Sequence, residues 1–174
     1  MKPAHRSIVL IGFMGAGKSS VGRRLAQTQS WPFFETDAMI TGAVGMPIME
    51  IFARLGEERF REEESAVLQN LDPRHRSIIV TGGGAVLRPR NVVRLRELGT
   101  VVCLTADLAT LRQRLAQRAD RPLLQTENRA ERIETLLRAR EPFYKEAADF
   151  TFDTSLLSDE EVAESIRQTL ALTN

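Results

Sequence analysis

The chain has one cysteine, Cys103, so an internal disulfide is impossible. It also lacks a charge excess. Its 24 Lys and Arg stand against 23 Asp and Glu, a net charge of +1. That excludes the global basic field through which proteins bind nucleic acid or anionic membranes. No internal repeat, low-complexity tract or long linker interrupts it. The apolar run from Ile8 to Ile11 is too short for the hydrophobic core of a signal peptide and ends in a glycine-rich motif. No other stretch approaches the length of a transmembrane helix. A soluble cytoplasmic protein is the simplest reading. Cys103 lies in the apolar run Val101-Val102-Cys103-Leu104, which marks it as a core residue rather than a reactive thiol. His5 and His75 sit in polar surroundings and receive no role.

At 174 residues, 43% apolar and 27% charged, the chain has the size and composition of one globular domain over 1–174. Short apolar runs alternate with longer amphipathic ones. Strands are expected at Ser7–Gly12, 32–36, 77–81, 100–105 and Phe150–Asp153. Two of them read as continuous apolar runs, as parallel strands buried on both faces do. Phe60, Val67, Leu68 and Leu71 recur with helical period, as do Leu108, Leu111 and Leu115, and Val162, Ile166 and Leu170. Ser158 with Glu161 forms a capping box, Pro47 suits a first helical turn, and Gly99 ends the 91–98 segment as a C-terminal glycine. Pro142 is expected to bend or break a helix over 131–147 near Arg140. The alternation implies right-handed crossovers and a doubly wound α/β fold, with helices on both faces of a five-stranded parallel sheet.

Directly after the first strand stands Gly12-Phe13-Met14-Gly15-Ala16-Gly17-Lys18-Ser19, a P-loop pattern. Phosphate oxygens must approach backbone N–H groups closely, which glycine permits, and helix N-terminal amides meet the anion. Lys18 can reach the β- and γ-phosphates, and the Ser19 hydroxyl can bind Mg²⁺. With Gly near 7% of residues, the four fixed positions coincide by chance in a chain of this length in about one case in a few hundred. The strand before the motif and the amphipathic helix after it (Val21, Leu25) are the setting it requires. A nucleoside triphosphate is therefore the expected ligand, and the acceptor must be read elsewhere.

Three further features fall at or between strand ends, where open α/β sheets place their sites. They are Glu35-Thr36-Asp37, the charged run from Gly56 to Glu64, and Gly82-Gly83-Gly84. Singly each has an ordinary explanation: an acidic helix start, a surface arginine at Arg61 lying along its stem, a tight turn. Together they converge on the edge that carries the P-loop.

In this combination the chain resembles the shikimate kinases over nearly its whole length. The shared elements are Gly-Phe-Met-Gly-Ala-Gly-Lys-Ser-Ser-Val-Gly over 12–22, the acidic pair Glu35 and Asp37, and Gly56, Glu57, Phe60, Arg61 and Glu64. Gly82, Gly83 and Gly84, Arg121-Pro122-Leu123-Leu124, and Arg140-Glu141-Pro142-Phe143-Tyr144 complete them. The resemblance implies a P-loop kinase fold with a mobile lid over 116–129. It implies transfer of the ATP γ-phosphoryl group to the 3-hydroxyl of shikimate by a monomer that needs ATP and Mg²⁺ but no nucleic acid or membrane. Gly12, Gly15, Ala16, Gly17, Lys18, Ser19 and Ser20 would bind the nucleotide. Arg118 would lie near the adenine, and Arg121 would swing over the phosphates. Asp37 would bind the shikimate hydroxyls as the candidate base, Arg61 and Arg140 would grip the carboxylate, and Gly83 and Gly84 would meet ring hydroxyls through backbone. Lys18, Asp37 and Arg121 would be catalytic. Ser19 and Glu35 would hold the metal. The family usually has Asp where Glu35 stands, so the same charge here rides on an arm one methylene longer. Two rival readings remain at this level. One is another small P-loop kinase, acting on gluconate or a nucleoside monophosphate; the other is a non-catalytic nucleotide-binding switch.

Overall fold

The computed structural model describes residues 7–116, 118 and 120–172. His5 lies outside these. Strand β1 (Ser7–Gly12) runs at the centre of the sheet and leads into α1 (Lys18–Gln29). After β2 (Phe33–Glu35) come α2 (Thr36–Val44), α3 (Ile48–Asn70), β3 (Ile78–Val80), α4 (Pro89–Leu98) and β4 (Gly99–Thr105). The chain closes with α5 (Leu108–Leu115), α6 (Arg129–Ala147), β5 (Phe150–Asp153) and α7 (Asp159–Thr169). Short 3₁₀ turns occupy Ala85–Leu87 and Pro122–Leu124. The strands pair in parallel in the order β2-β3-β1-β4-β5. This is the five-stranded parallel sheet read from the sequence, with each expected strand displaced by at most a residue or two.

Side-chain alternation divides the core. Ile8, Leu10, Val80, Val102 and Leu104 pack on α1 and α7 through Val21, Leu25, Val162 and Ile166. Val9, Ile11, Ile79, Val101 and Cys103 face α3 to α6 through Leu68, Leu95, Leu111 and Ile133. Both faces of the central strands are covered, which is why their sequence is apolar without a break. Burial pushes the Cys103 thiol up to about 11, consistent with a core role.

Three boundary expectations change in detail. Gly99 does end α4, but with φ −177° it is extended rather than left-handed. A Cβ there would overlap the Ser7 carbonyl of β1, so close strand approach selects the glycine. Pro142 lies inside an unbroken α6, so the expected break is absent. Its ring only removes one amide donor, and the segment is held on both sides of it by buried Arg140, Tyr144 and Ala147. Pro47 is the residue before α3 rather than in its first turn. Within α3, Gly56 takes φ 84°, ψ 167°, which kinks the helix in two. The capping box at Ser158 and Glu161 is present as expected. No single helix among the described residues is long and apolar enough to cross a membrane.

Candidate active site

The parallel sheet brings the C-terminal ends of β1, β2 and β3 to one edge, and two cavities open there. The larger, about 890 Å³, is lined by Gly15, Gly17, Lys18, Ser19 and Ser20, with Glu35, Asp37, Arg114, Arg118 and Arg121 among the charged residues. The smaller, about 50 Å³, is lined by Asp37, Arg61, Glu64, Gly82, Gly83, Gly84, Arg121 and Arg140, with Phe52, Phe60 and Leu123 as apolar walls. Asp37, Ile48, Arg121 and Pro122 belong to both, so they form the partition, with Asp37 and Arg121 as its charged members.

The P-loop gets its shape from its glycines. Gly12 ends β1 at φ 138°, where a Cβ would also overlap the Leu104 carbonyl, and Gly17 caps α1 at φ 92°. The buried Lys18 Nζ donates to the Gly12 and Phe13 carbonyls at 2.8 and 2.9 Å. Burial first, and the nearby Arg121 cation next, lower its pKa to about 8, against the pull of Asp37. Gly12 and Ala16 do not line the large cavity. Gly12 presents its carbonyl to Lys18, and Ala16 is core.

Glu35 and Asp37 do start a helix: Glu35 is the N-cap of α2 and Asp37 is in its first turn. The same placement turns both carboxylates into the cavity. The Ser19 hydroxyl donates to Glu35 Oε1, and Arg23 Nη2 lies 3.0 Å from Glu35 Oε2. Asp37 Oδ2 is 3.8 Å from Arg121 Nη1. Burial raises the Asp37 pKa above the usual carboxylate value while Arg121 and Lys18 oppose the rise. Arg121 is therefore not a loose surface charge.

In the smaller cavity Arg61 is buried, 6% exposed, not a surface arginine. Its Nη1 is 2.9 Å from Glu64 Oε2 and its Nη2 3.1 Å from Glu57 Oε1. Gly82, Gly83 and Gly84 do sit in a tight turn, where the Ala85 N–H donates to the Gly82 carbonyl at 3.2 Å. All three have negative φ, so the turn's backbone does not itself require glycine. A Cβ on Gly82 would come within 2.8 Å of Glu64 Oε1 and 2.9 Å of Asp37 Oδ1, and one on Gly84 would overlap the Arg61 guanidinium. Gly82 and Gly84 are bare because charged side chains press against them. Arg140 is buried beside Gly83, whose carbonyl accepts the Tyr144 hydroxyl at 2.5 Å. Asp37 Oδ1, Glu64 Oε1 and Arg121 Nε are buried with no hydrogen-bond partner among the described residues. Such orphaned groups ask for a polar ligand in the cavity they border.

Every other nominated residue with a described side chain lies on one of the two cavities, Arg118 at the exposed rim of the larger. Sequence reasoning gave no role to Glu64, Tyr144, Arg114 or Thr154. Glu64 and Tyr144 stood inside motifs already quoted, but their partners could not be read from them. Arg114 Nη1 donates to the Gly15 carbonyl at 3.1 Å and to Thr154 Oγ1 at 2.9 Å, and Thr154 Oγ1 donates to the Ala16 carbonyl at 3.0 Å. These two residues brace the P-loop from α5 and the end of β5. Nothing local distinguishes Arg114 from the other arginines of 112–140.

The arrangement can hold a polyphosphate against Lys18 and the P-loop amides. It can also hold a small carboxylate beside Arg61 and Arg140, with Asp37 and Arg121 between the two. Comparison with known proteins agrees. The shikimate kinase family model matches residues 14–171. A shikimate kinase of Thermodesulfovibrio yellowstonii is 48% identical over 161 residues, 92% of this chain and 92% of that protein. A structure of the shikimate kinase from Acinetobacter baumannii in complex with shikimate superposes with a TM-score of 0.91 at 35% identity, covering 97% of each chain. A gluconokinase from Sinorhizobium meliloti shares the fold, with a TM-score of 0.60, but only 20% identity over 98% of this chain and 94% of that one.

Proposed function

The chain belongs to the shikimate kinase family, and from that premise we propose how its residues divide the work. It is an ATP-dependent enzyme that phosphorylates the 3-hydroxyl of shikimate, a step of the shikimate pathway. The gluconate-kinase and switch readings are not favoured. The observation that carries the division of roles is the shared partition: Asp37 and Arg121 border both the P-loop cavity and the arginine-lined one.

In this reading Gly15, Gly17, Lys18, Ser19 and Ser20 seat the nucleotide phosphates, with Gly12 and Ala16 shaping the loop and Arg118 near the base. Arg61 and Arg140 clamp the acceptor carboxylate, for which the planar guanidinium fork is suited and lysine is not. Gly83 and Gly84 offer backbone to the ring hydroxyls. Asp37 accepts the hydrogen bond of the attacking hydroxyl and orients it along the line of transfer. Phosphoryl transfer passes through a loose transition state, so positioning and charge stabilisation outweigh strong base catalysis. Lys18 and Arg121 supply the stabilising charge. The segment 116–129 acts as a lid, anchored by buried Leu124 and carrying Arg121 over the reacting groups. Closing it excludes water, without which a kinase hydrolyses ATP. The chain acts as a cytoplasmic monomer on small molecules.

Ser19 and Glu35 fit a magnesium site of the kind that nucleotide phosphates complete. They offer one hydroxyl and one carboxylate, and no cluster of three or more His, Cys, Asp or Glu among the described residues forms a closed cage. When bound, Mg²⁺ neutralises charge on the β- and γ-phosphates.

A coupled ADP-release assay with Mg²⁺-ATP, offering shikimate, gluconate and AMP separately, tests the assignment. Stimulation by shikimate alone, strongly lowered by Asp37→Asn, is the expected result. Undiminished turnover in that variant would remove Asp37 from the chemistry.

A further inference from the structure

Arg23 lines the nucleotide cavity but has no part in the roles above. It projects from the second turn of α1 toward the end of β2, where Nη2 meets Glu35 Oε2 at 3.0 Å. The other oxygen of that carboxylate, Oε1, accepts the Ser19 hydroxyl. Both oxygens of Glu35 are thus engaged. A divalent cation arriving between Ser19 and Glu35 must displace one partner or the other.

The two partners differ in what displacement does to them. Ser19 can rotate its hydroxyl hydrogen away and offer a lone pair to the same cation. Arg23 cannot. Its guanidinium has only donors and keeps its charge at every accessible pH, so beside a cation it is a like charge. It is also free to withdraw. Its side chain is 58% exposed, and its Cζ already lies 5.5 Å from the centroid of the Phe33 ring, a second resting place that needs no carboxylate.

From this geometry we infer that Arg23 is the counter-ion of Glu35 in the metal-free enzyme and competes with the divalent cation for that carboxylate. Arg23 thereby sets how strongly cation and nucleotide binding are coupled. With Arg23 in place, the carboxylate is neutralised and metal-free nucleotide phosphates are not repelled by it. Without Arg23, Glu35 stands bare. Metal-free nucleotide then binds more weakly and the cation-bound form more tightly. The inference rests on the reading of Ser19 and Glu35 as the cation's protein ligands.

The test is calorimetric measurement of ADP affinity with excess Mg²⁺ and with EDTA, the ratio of the two Kd values giving the coupling. Arg23→Gln is expected to raise that ratio about three- to tenfold over the wild type, the scale of one unit charge at a partly exposed site. The excess should shrink as salt is raised, because exposed charges are screened. Arg23→Lys keeps the charge and should hold the ratio near wild type. An unchanged or lower ratio in Arg23→Gln overturns the inference, including equal weakening with and without Mg²⁺. So does a lysine variant that behaves like the glutamine one. Glu35→Gln separates the two layers. If it collapses the Mg²⁺ effect, the metal assignment stands and the Arg23 variants alone decide. If it leaves that effect intact, the assignment of Glu35 fails and the role of Arg23 falls with it.

Discussion

Lys18 is held in a state of charge that the nucleotide itself should change. Burial and the Arg121 cation lower its pKa to about 8 from an ordinary 10.5. In the nucleotide-free enzyme its charge is therefore lost as pH rises through about 8. Between that value and 10.5 the unfolded chain holds more protons than the folded one, so this group's unfavourable effect on stability is full below about 8 and fades as pH rises. Phosphate oxygens favour the charged form and should restore a higher pKa. Nucleotide binding at about pH 8.5 is expected to take up a proton, seen as a calorimetric enthalpy that varies with the buffer's ionisation heat, whereas at about pH 6.5 it should not. A buffer-independent enthalpy at the higher pH would mean that Lys18 does not change its protonation when nucleotide binds.

The two arginines of the acceptor cavity should also part company. Arg61 neutralises Glu64, whose side chain is 0% exposed. Arg61→Ala leaves that carboxylate buried without its ion-pair partner, and should cost about 3–5 kcal/mol of stability in chemical denaturation. Arg140 has no carboxylate within ion-pair distance among the described residues. Arg140→Ala should instead raise the shikimate KM about ten- to a hundredfold, the scale of a lost charge-assisted hydrogen bond, with a smaller loss of stability. An unchanged KM in that variant would refute the carboxylate clamp.

Elements in this fold meet where glycine lets them. The turn from α4 into β4 places Gly99 against the backbone of β1, so an alanine there collides with another strand, not with a side chain that could move aside. Gly99→Ala should lower the urea midpoint by the equivalent of about 2–3 kcal/mol, with the slope unchanged. Gly42 provides the contrast. It lies inside α2 with open space where a Cβ would go, and its φ is not in the left-handed region. Gly42→Ala should stabilise the enzyme by about 0.5–1 kcal/mol, through helix propensity and a less free unfolded chain. Equal effects of the two substitutions would show that strand approach is not what selects Gly99.

At the scale of the whole molecule, the acceptor cavity is small for its ligand. The arginine-lined cavity is only about 50 Å³, whereas ligand pockets are usually about 300–1,000 Å³. Arg121, Pro122 and Leu123 are part of its lining, and Arg121 pairs with Asp37. The lid role proposed for 116–129 requires this segment to lift before shikimate enters and to close behind it. Hydrogen exchange across 116–129 is therefore expected to slow when ADP and shikimate bind together, and by more than with either alone. Exchange unaffected by both ligands would mean that the segment is not a lid.

Much of this was legible before any fold was known, because the signals are local. The P-loop occupies consecutive residues, and the strands are short apolar runs. The capping box spans four residues, and the acidic pair is two residues apart. Gly82, Gly83 and Gly84 could be noticed, but not explained. For Gly82 and Gly84 the reason is the pressure of Asp37, Glu64 and Arg61 from other elements. Pro142 shows the opposite case: local propensity argued for a bend or a break, and α6 runs through it without a break, with Arg140 and Tyr144 buried on either side.

By itself, then, the sequence determined the phosphate cradle, the parallel α/β architecture and the set of charged residues available to the site. Only the tertiary structure decided which charge neutralises which. It joined Arg114 to Gly15 across 99 positions and Tyr144 to Gly83 across 61, set Arg61 between two glutamates, and gave Glu35 to both Ser19 and Arg23. The physical reason is that backbone preferences and periodicity act over a few residues. Burial and ion pairing depend instead on which distant segments the sheet order brings side by side.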